Sequence, residues 1–140
     1  MDPKRIGGLL ILGAALLLAT HGMSGCPVNP PVVVVPVIEG PRDVLIVHET
    51  ATDGPAFARL KSNLRSGASY DYLKSKGHTL LIQDPDDGSP VIKQWQAELA
   101  GLKLPAIIIS AKGKLLLKKS LSDGADANEV IGLIKTQEAK

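Results

Sequence analysis

The chain has 140 residues, 44% of them hydrophobic, which suffices for one small domain with an appendage and argues against two independent domains. Its 16 basic and 14 acidic residues nearly cancel and are interspersed along the second half of the sequence. Without a basic stripe, a role in nucleic-acid binding has no electrostatic support.

The N-terminal segment has the layout of a bacterial export signal. Lys4 and Arg5 precede an apolar run over residues 6–19, and a stretch of small and polar residues follows. The run is shorter than the roughly 20 residues that cross a bilayer, although extending it through Ser24 brings it close. Length alone therefore leaves open a cleaved signal and an uncleaved membrane anchor.

Residues 23–26, Met-Ser-Gly-Cys, resemble the bacterial lipobox, in which a cysteine is lipidated and becomes the mature N-terminus. The resemblance implies that residues 1–26 are a lipoprotein signal and that Cys26 tethers the chain to a membrane. Met23 and His21 depart from the commoner pattern, so an uncleaved signal anchor and an incidental thiol stay open. Both anchors place the basic N-terminus in the cytoplasm and the remaining chain outside, in the cell envelope. The single cysteine excludes an intramolecular disulfide.

Residues 27–41 are rich in proline and valine and nearly devoid of charge. Repeated proline fixes φ and removes donors, which predicts a stiff, extended spacer on the order of 40 Å long at about 3.1 Å per residue. Four consecutive valines at 32–35 also favour a strand, so docking on a sheet or on a partner stays open. The compact domain is predicted to cover residues 42–140.

The first predicted elements of the domain are a strand and a helix. Residues 43–48 are mostly apolar without helical spacing, which is typical of a central strand buried on both faces. Asp53 is predicted to cap a following helix with Pro55 in its first turn. Whether this helix continues past Gly67 to a cap at Gly77 is left open. The predicted buried stripe is Phe57, Leu60 and Leu64.

Residues 78–83 form a second predicted strand, which ends at a turn over residues 84–88. Three aspartates in this turn could chelate a hard cation, yet its proline and glycine break the spacing of a calcium loop. We interpret it as a solvated turn and predict no metal site. Ser89 and Pro90 then open a helix whose apolar face includes Trp95, which predicts core packing for this side chain.

The last predicted elements are a hairpin and a helix. Residues 106–110 form a third strand that returns through a glycine-containing turn into residues 115–118, with Lys118 and Lys119 protecting a sheet edge. Asp126, followed by Glu129, predicts a capping box at the start of the final helix. The element order predicts an α/β sandwich with parallel strands followed by an antiparallel pair.

This order and three local features, over roughly residues 42–135, resemble the thioredoxin family. A buried strand runs into Asp-Gly-Pro-Ala at 53–56, where the family carries Cys-Gly-Pro-Cys. Leu104 and Pro105 directly precede a strand, where the family has its cis-proline, and Lys-Gly-Lys at 112–114 lies in a hairpin before the terminal helix. The resemblance implies a three-layer sandwich with a mixed central sheet.

The departures from the family concern its redox chemistry. Asp53 and Ala56 occupy the two cysteine positions, Thr52 occupies the tryptophan position, and Val47 aligns with the family's buried acid. A carboxylate suits a helix N-terminus but cannot exchange disulfides, because that reaction needs a thiolate. We therefore predict no disulfide oxidoreductase activity, no catalytic residue and no cofactor.

The sequence thus predicts an exported, membrane-tethered, non-catalytic module that binds a protein or stabilises an envelope assembly. One alternative is a thioredoxin-fold enzyme that uses His48, Glu49 or Asp53 in non-thiol chemistry. Another is a structural component of a membrane or particle, held by an uncleaved helix. By resemblance, an extended peptide would bind against exposed backbone at Thr52, Asp53, Gly54, Pro55, Leu104 and Pro105.

Overall fold

A computed structural model describes residues 38–140, which belong to one compact unit of the chain. The predicted signal, the lipidation residue Cys26, the spacer up to residue 37 and its valine run lie outside the described residues. Over the range that is described, no helix has the length and apolar character needed to cross a membrane.

Four strands form a mixed sheet in the order β2-β1-β3-β4. β1 runs parallel to β2 and antiparallel to β3, and β3 and β4 form the predicted antiparallel hairpin. β1 is central and its last four residues are buried, as predicted for the first strand. The strands are β1 (Asp43–Val47), β2 (Thr79–Gln83), β3 (Ala106–Ala111) and β4 (Lys114–Ser120).

Four α-helices cover the two faces of this sheet. α1, α2 and α4 pack on the face of Val44 and Ile46, while α3 packs on the face of Leu45 and Val47. The predicted three-layer sandwich with a mixed central sheet is therefore confirmed. The helices are α1 (Pro55–Arg65), α2 (Gly67–Ser75), α3 (Pro90–Leu99) and α4 (Ala127–Glu138).

The region around α1 differs from the sequence prediction in its cap. The predicted Asp53 cap is wrong, because α1 begins at Pro55 with Gly54 at the N-cap position and no capping side chain. The Asp53 carboxylate instead contacts His48 and Lys61. The open question of a longer helix is also answered: α1 ends before Ser66, whose backbone is extended, and α2 begins at Gly67, which adopts a φ of 68°.

Several other local predictions are confirmed. Trp95 packs in the core between α3 and the sheet. The carboxylate of Asp126 accepts a hydrogen bond from the backbone N–H of Glu129 at 2.8 Å, which confirms the Asp126 half of the predicted capping box, while the Glu129 carboxylate lies 3.8 Å from Nζ of Lys119. Lys112 and Gly113 both have positive φ, 52° and 76°, as a tight hairpin turn requires.

An unpredicted cluster fastens α4 to the start of the domain. His78 accepts a hydrogen bond at Nδ1 from the backbone N–H of Arg42 at 2.8 Å, so its proton lies on Nε2, which donates to Glu138 at 3.0 Å. The Tyr72 hydroxyl donates to the other oxygen of the Glu138 carboxylate. Arg42 also donates from Nη2 to the backbone carbonyl of Gln137 at 2.9 Å. These contacts tie β1, β2 and α2 to the last turn of α4.

Candidate functional site

Three loops meet at one end of the sheet and enclose a groove of about 370 Å³, here termed the loop groove. One loop joins β1 to α1, the second precedes β3 over residues 103–105, and the third joins β4 to α4 over residues 122–125. The groove brings together five of the six predicted contact residues. Those that line it are Thr52, Asp53, Gly54, Leu104 and Pro105, while Pro55 is exposed at the start of α1.

The second loop presents unpaired backbone to the groove. The Leu104–Pro105 peptide bond is cis, as the resemblance implies. The carbonyl of Pro105 accepts a hydrogen bond from the backbone N–H of Leu121 at 2.7 Å, which holds the loop against the end of β4. Within residues 38–140, the N–H and C=O of Leu104 make no backbone hydrogen bond. Backbone groups without a protein partner bind water or another chain, and Leu104 lines the groove.

Asp53 is held by two basic side chains instead of capping α1. Its Oδ1 lies 2.8 Å from Nδ1 of His48, and its Oδ2 accepts a hydrogen bond from Nζ of Lys61 at 3.1 Å. The His48 ring is buried and packs on the ring of Phe57 with centroids 4.5 Å apart. The carboxylate thus ties the first loop of the groove to the end of β1 and to the second turn of α1.

The N-terminus of α1 faces the same groove. No side chain caps it, Pro55 has no N–H to donate, and Ala56 and Phe57 both line the groove. The first N–H groups of a helix have no partner inside the helix. They add hydrogen-bond donors to the unpaired backbone of the second loop.

The acidic turn after β2 lies near Glu49. Carboxylate oxygens of Glu49, Asp84 and Asp86 lie within 4.8 Å of one another. Asp84 accepts hydrogen bonds from the backbone N–H groups of Thr50 at 2.8 Å and Asp86 at 2.9 Å. The side-chain hydrogen bond from Thr50, followed by the backbone bonds from Asp86 and Thr50, lowers the pKa of its carboxyl to about 2. This carboxylate therefore organises two turns, and we assign no cation site to the cluster.

The sequence does not indicate the contacts of every residue at the groove. The sequence places His48 beside Glu49 and near Asp53, and the structure pairs it with Asp53. No pattern in the sequence indicates that Lys61, eight residues further along the chain, contacts Asp53. Ser122 and Asp123 line the groove because the β3–β4 hairpin returns the chain to it, and this placement depends on the sheet.

The sequence matches no protein-family model, and no curated protein matches it significantly. Among solved structures, the fold is similar to that of a disulfide isomerase from Xylella fastidiosa Temecula1, with a TM-score of 0.52 and 12% identity over 69% of this chain and 77% of that one. Thioredoxin-2, described as a component of malaria parasite protein secretion machinery, gives a TM-score of 0.48 and 19% identity over 71% of this chain and 85% of that one. Thioredoxin O2 from Arabidopsis thaliana gives a TM-score of 0.44 and 15% identity over 69% of this chain and 75% of that one. The isomerase comparison establishes a thioredoxin-like fold, and identities this low establish the fold alone.

Proposed function

We propose that the chain is an exported, membrane-tethered, thioredoxin-like module that binds a protein partner in the loop groove without disulfide chemistry. One observation carries the proposal: the two predicted contact loops line a single groove in a domain that contains no cysteine. The lipobox resemblance at Cys26 supports the tether. A partner in the cell envelope then follows from the predicted direction of export.

The groove suits an extended segment of the partner. The unpaired N–H and C=O of Leu104 offer strand-like pairing to a bound main chain, and the uncapped start of α1 offers further donors. Phe57 and Leu60, both buried, form an apolar floor beneath the groove. Main-chain pairing supplies affinity for many sequences, so specificity would come from the exposed loop residues around the groove.

The chemistry of the former cysteine positions supports binding over redox catalysis. Disulfide exchange proceeds through a thiolate, and positions 53 and 56 supply a carboxylate and a methyl group. Both carboxylate oxygens of Asp53 are also bound, one by His48 and one by Lys61, which favours a structural role at this position. A purified chain that reduced disulfides at an appreciable rate would contradict the proposal.

The partner can be sought by photo-crosslinking in the cells that make the protein. A photoreactive residue at Thr52, exposed at the groove, should trap a discrete protein. The matched control is the same residue at Asn63, which is exposed on α1 and does not line the groove. Identical products from both positions, or no discrete product from Thr52, would contradict binding in the groove.

The 2.8 Å contact between His48 and Asp53 favours one rival function, a non-thiol enzyme. A carboxylate on Nδ1 orients an imidazole, which leaves Nε2 as a general base, and Ser122 lines the same groove. This rival predicts turnover of ester or phosphoester substrates that falls by orders of magnitude in His48→Gln and Asp53→Asn. A binding module predicts no turnover in the wild type and therefore no such loss.

A further inference from the structure

Arg42 carries a buried positive charge that no carboxylate neutralises. The residue is 2% exposed, and within residues 38–140 no acidic side chain forms an ion pair with it. Its guanidinium donates from Nη1 to the carbonyl of Gly40 at 2.6 Å and from Nη2 to the carbonyl of Gln137 at 2.9 Å. Nε is buried and has no partner among the described residues. A buried cation and an unpaired buried donor both cost free energy, which a bound anion would offset.

Arg42 also lines a small pocket in which the other charged groups are cationic. The pocket, here termed the basic pocket, encloses about 190 Å³, less than the roughly 300–1,000 Å³ of pockets for drug-sized ligands. Seven described residues line it, of which Arg42, Lys114 and Lys140 are basic and none is acidic. Lys114 and Lys140 are exposed. The pocket thus combines one fixed, buried charge with two ammonium groups that can adjust to a ligand.

The acidic residues at this end of the sheet are bound to other groups. The carboxylate of Glu138 accepts hydrogen bonds from Tyr72 and His78. The carboxylate of Asp43 accepts one from the hydroxyl of Thr79 at 2.6 Å. Neither carboxylate lines the pocket, and its two lysines form no ion pair with a described acid. The positive charges therefore raise the local concentration of anions in the pocket.

We propose that the basic pocket binds a phosphate group. Three convergent cations exceed what one carboxylate neutralises, whereas a phosphate offers several acceptor oxygens to several donors at once. The planar guanidinium of Arg42 suits the geometry of a phosphate, and Lys114 and Lys140 act as point charges on its remaining oxygens. The small volume fits an ion or a single headgroup phosphate.

The pocket lies at the end of the sheet opposite the loop groove. Arg42 and Lys114 stand at the starts of β1 and β4, whereas the groove loops adjoin the end of β1 and the start of β3. Ile38, which follows the predicted spacer, also lines the pocket. The proposed tether would therefore bring this end towards anionic lipid headgroups. The phosphate comes either from such a headgroup or from a soluble ion, and the pocket itself does not depend on the proposed function.

Unfolding of the full chain in a neutral detergent tests the site with inorganic phosphate as the probe. At fixed ionic strength, and at concentrations too low for general salt effects, phosphate should raise the urea midpoint until binding saturates. The double variant Lys114→Gln, Lys140→Gln should raise the dissociation constant roughly tenfold or more, because it removes two charge-assisted donors. The matched control is Lys93→Gln, Lys119→Gln, which removes the same net charge from exposed positions outside the pocket.

A second arm identifies the source of the phosphate. The full chain is reconstituted into vesicles of phosphatidylcholine alone or with phosphatidylglycerol, so that its anchoring is the same in both. A higher urea midpoint in the anionic vesicles, lost in the pocket variant and kept in the control, identifies a lipid headgroup. A response to inorganic phosphate without a response to the anionic vesicles identifies a soluble ion.

Two outcomes overturn the proposal. One is the absence of a response in both arms. The other is an equal loss of response in the two double variants, which would reflect net charge instead of a site. No residue of the basic pocket lines the loop groove, so crosslinking from Thr52 should be unchanged in the pocket variant. Failure of the phosphate site and failure of the groove proposal are therefore distinguishable.

Discussion

Nδ1 of His48 and Oδ1 of Asp53 lie 2.8 Å apart, which joins the end of β1 to the loop that opens α1. The His48 side chain is 8% exposed, so its ring nitrogen has little access to water as a replacement partner. Asp53 occupies the position that the thioredoxin resemblance assigns to a reactive cysteine. In this chain that position holds the loop of the groove in place.

Removing the Asp53 carboxylate should therefore destabilise the domain. We expect Asp53→Ala to lower the free energy of unfolding by about 1–3 kcal/mol, because a buried donor loses its acceptor. Asp53→Asn keeps an acceptor for His48 and should cost less. Urea unfolding, followed by the fluorescence of the only tryptophan, Trp95, measures both changes. Trp95 is buried and reports on the core between α3 and the sheet.

Lys61→Ala is the matched control for this pair. Lys61 contacts the same carboxylate but is 30% exposed, so its loss should cost no more than about 1 kcal/mol. An Asp53→Ala protein as stable as the wild type would show that the contact with His48 contributes nothing to the fold.

Restoring two cysteines should create redox activity. The double variant Asp53→Cys, Ala56→Cys rebuilds Cys-Gly-Pro-Cys at the uncapped N-terminus of α1, which should lower the pKa of the first thiol and supply a thiolate. We expect dithiol-dependent reduction of insulin by the double variant and none by the wild type. Each single variant in a Cys26→Ser background serves as a control, because the chain then has one cysteine, which cannot both attack a disulfide and resolve the intermediate. A folded but inactive double variant would show that the groove lacks more than its thiols.

The sequence predicted the architecture because the apolar runs are short, separated by strong turn residues and correctly spaced. It failed at Asp53 because the capping rule considers only neighbours in sequence, whereas His48 and Lys61 compete for the same carboxylate in space. Gly67 shows a related limit. The sequence around this glycine is compatible with both a continuous and a broken helix, and only the backbone conformation decides between them.

Two of the three loops that form the groove could be predicted from the sequence. The resemblance to the thioredoxin family assigns these two loops to one contact surface, because Gly54 and Pro105 belong to recognisable local motifs. The third loop, with Ser122 and Asp123, carries no such motif and reaches the groove only through the β3–β4 register. Long-range pairing of this kind is not encoded in a local pattern.

The proposed tether predicts the mature N-terminus. If the lipobox is processed, mass spectrometry of protein purified from its own cells should find a chain beginning at Cys26 with attached lipid. Cys26→Ala should then abolish the modification and retain the uncleaved signal. A mature chain that starts at Met1 would contradict lipobox processing and favour the structural component held by an uncleaved helix.

The cluster around Glu138 predicts how stability depends on pH. Burial alone raises the pKa of Glu138, but hydrogen bonds from Tyr72 and His78 and the nearby positive charges outweigh it, so the pKa lies below its usual value. Burial, followed by the hydrogen bond and the negative charge of Glu138, raises the pKa of Tyr72 from 10.0 to about 12. The folded state therefore favours the ionised Glu138 and the neutral Tyr72.

The two shifts act at opposite ends of the pH range. Stability from Glu138 is present above the usual pKa of a glutamate and is lost as the pH falls through its lower folded value. Stability from Tyr72 is present below pH 10.0 and is lost as the pH rises towards about 12. We expect Glu138→Gln to cost about 1–2 kcal/mol near neutral pH and to converge with the wild type in acid. Tyr72→Phe should remove the alkaline loss specific to this hydroxyl, with urea midpoints at each pH as the measurement. Profiles that run parallel to the wild type throughout would show that the cluster does not couple proton binding to folding.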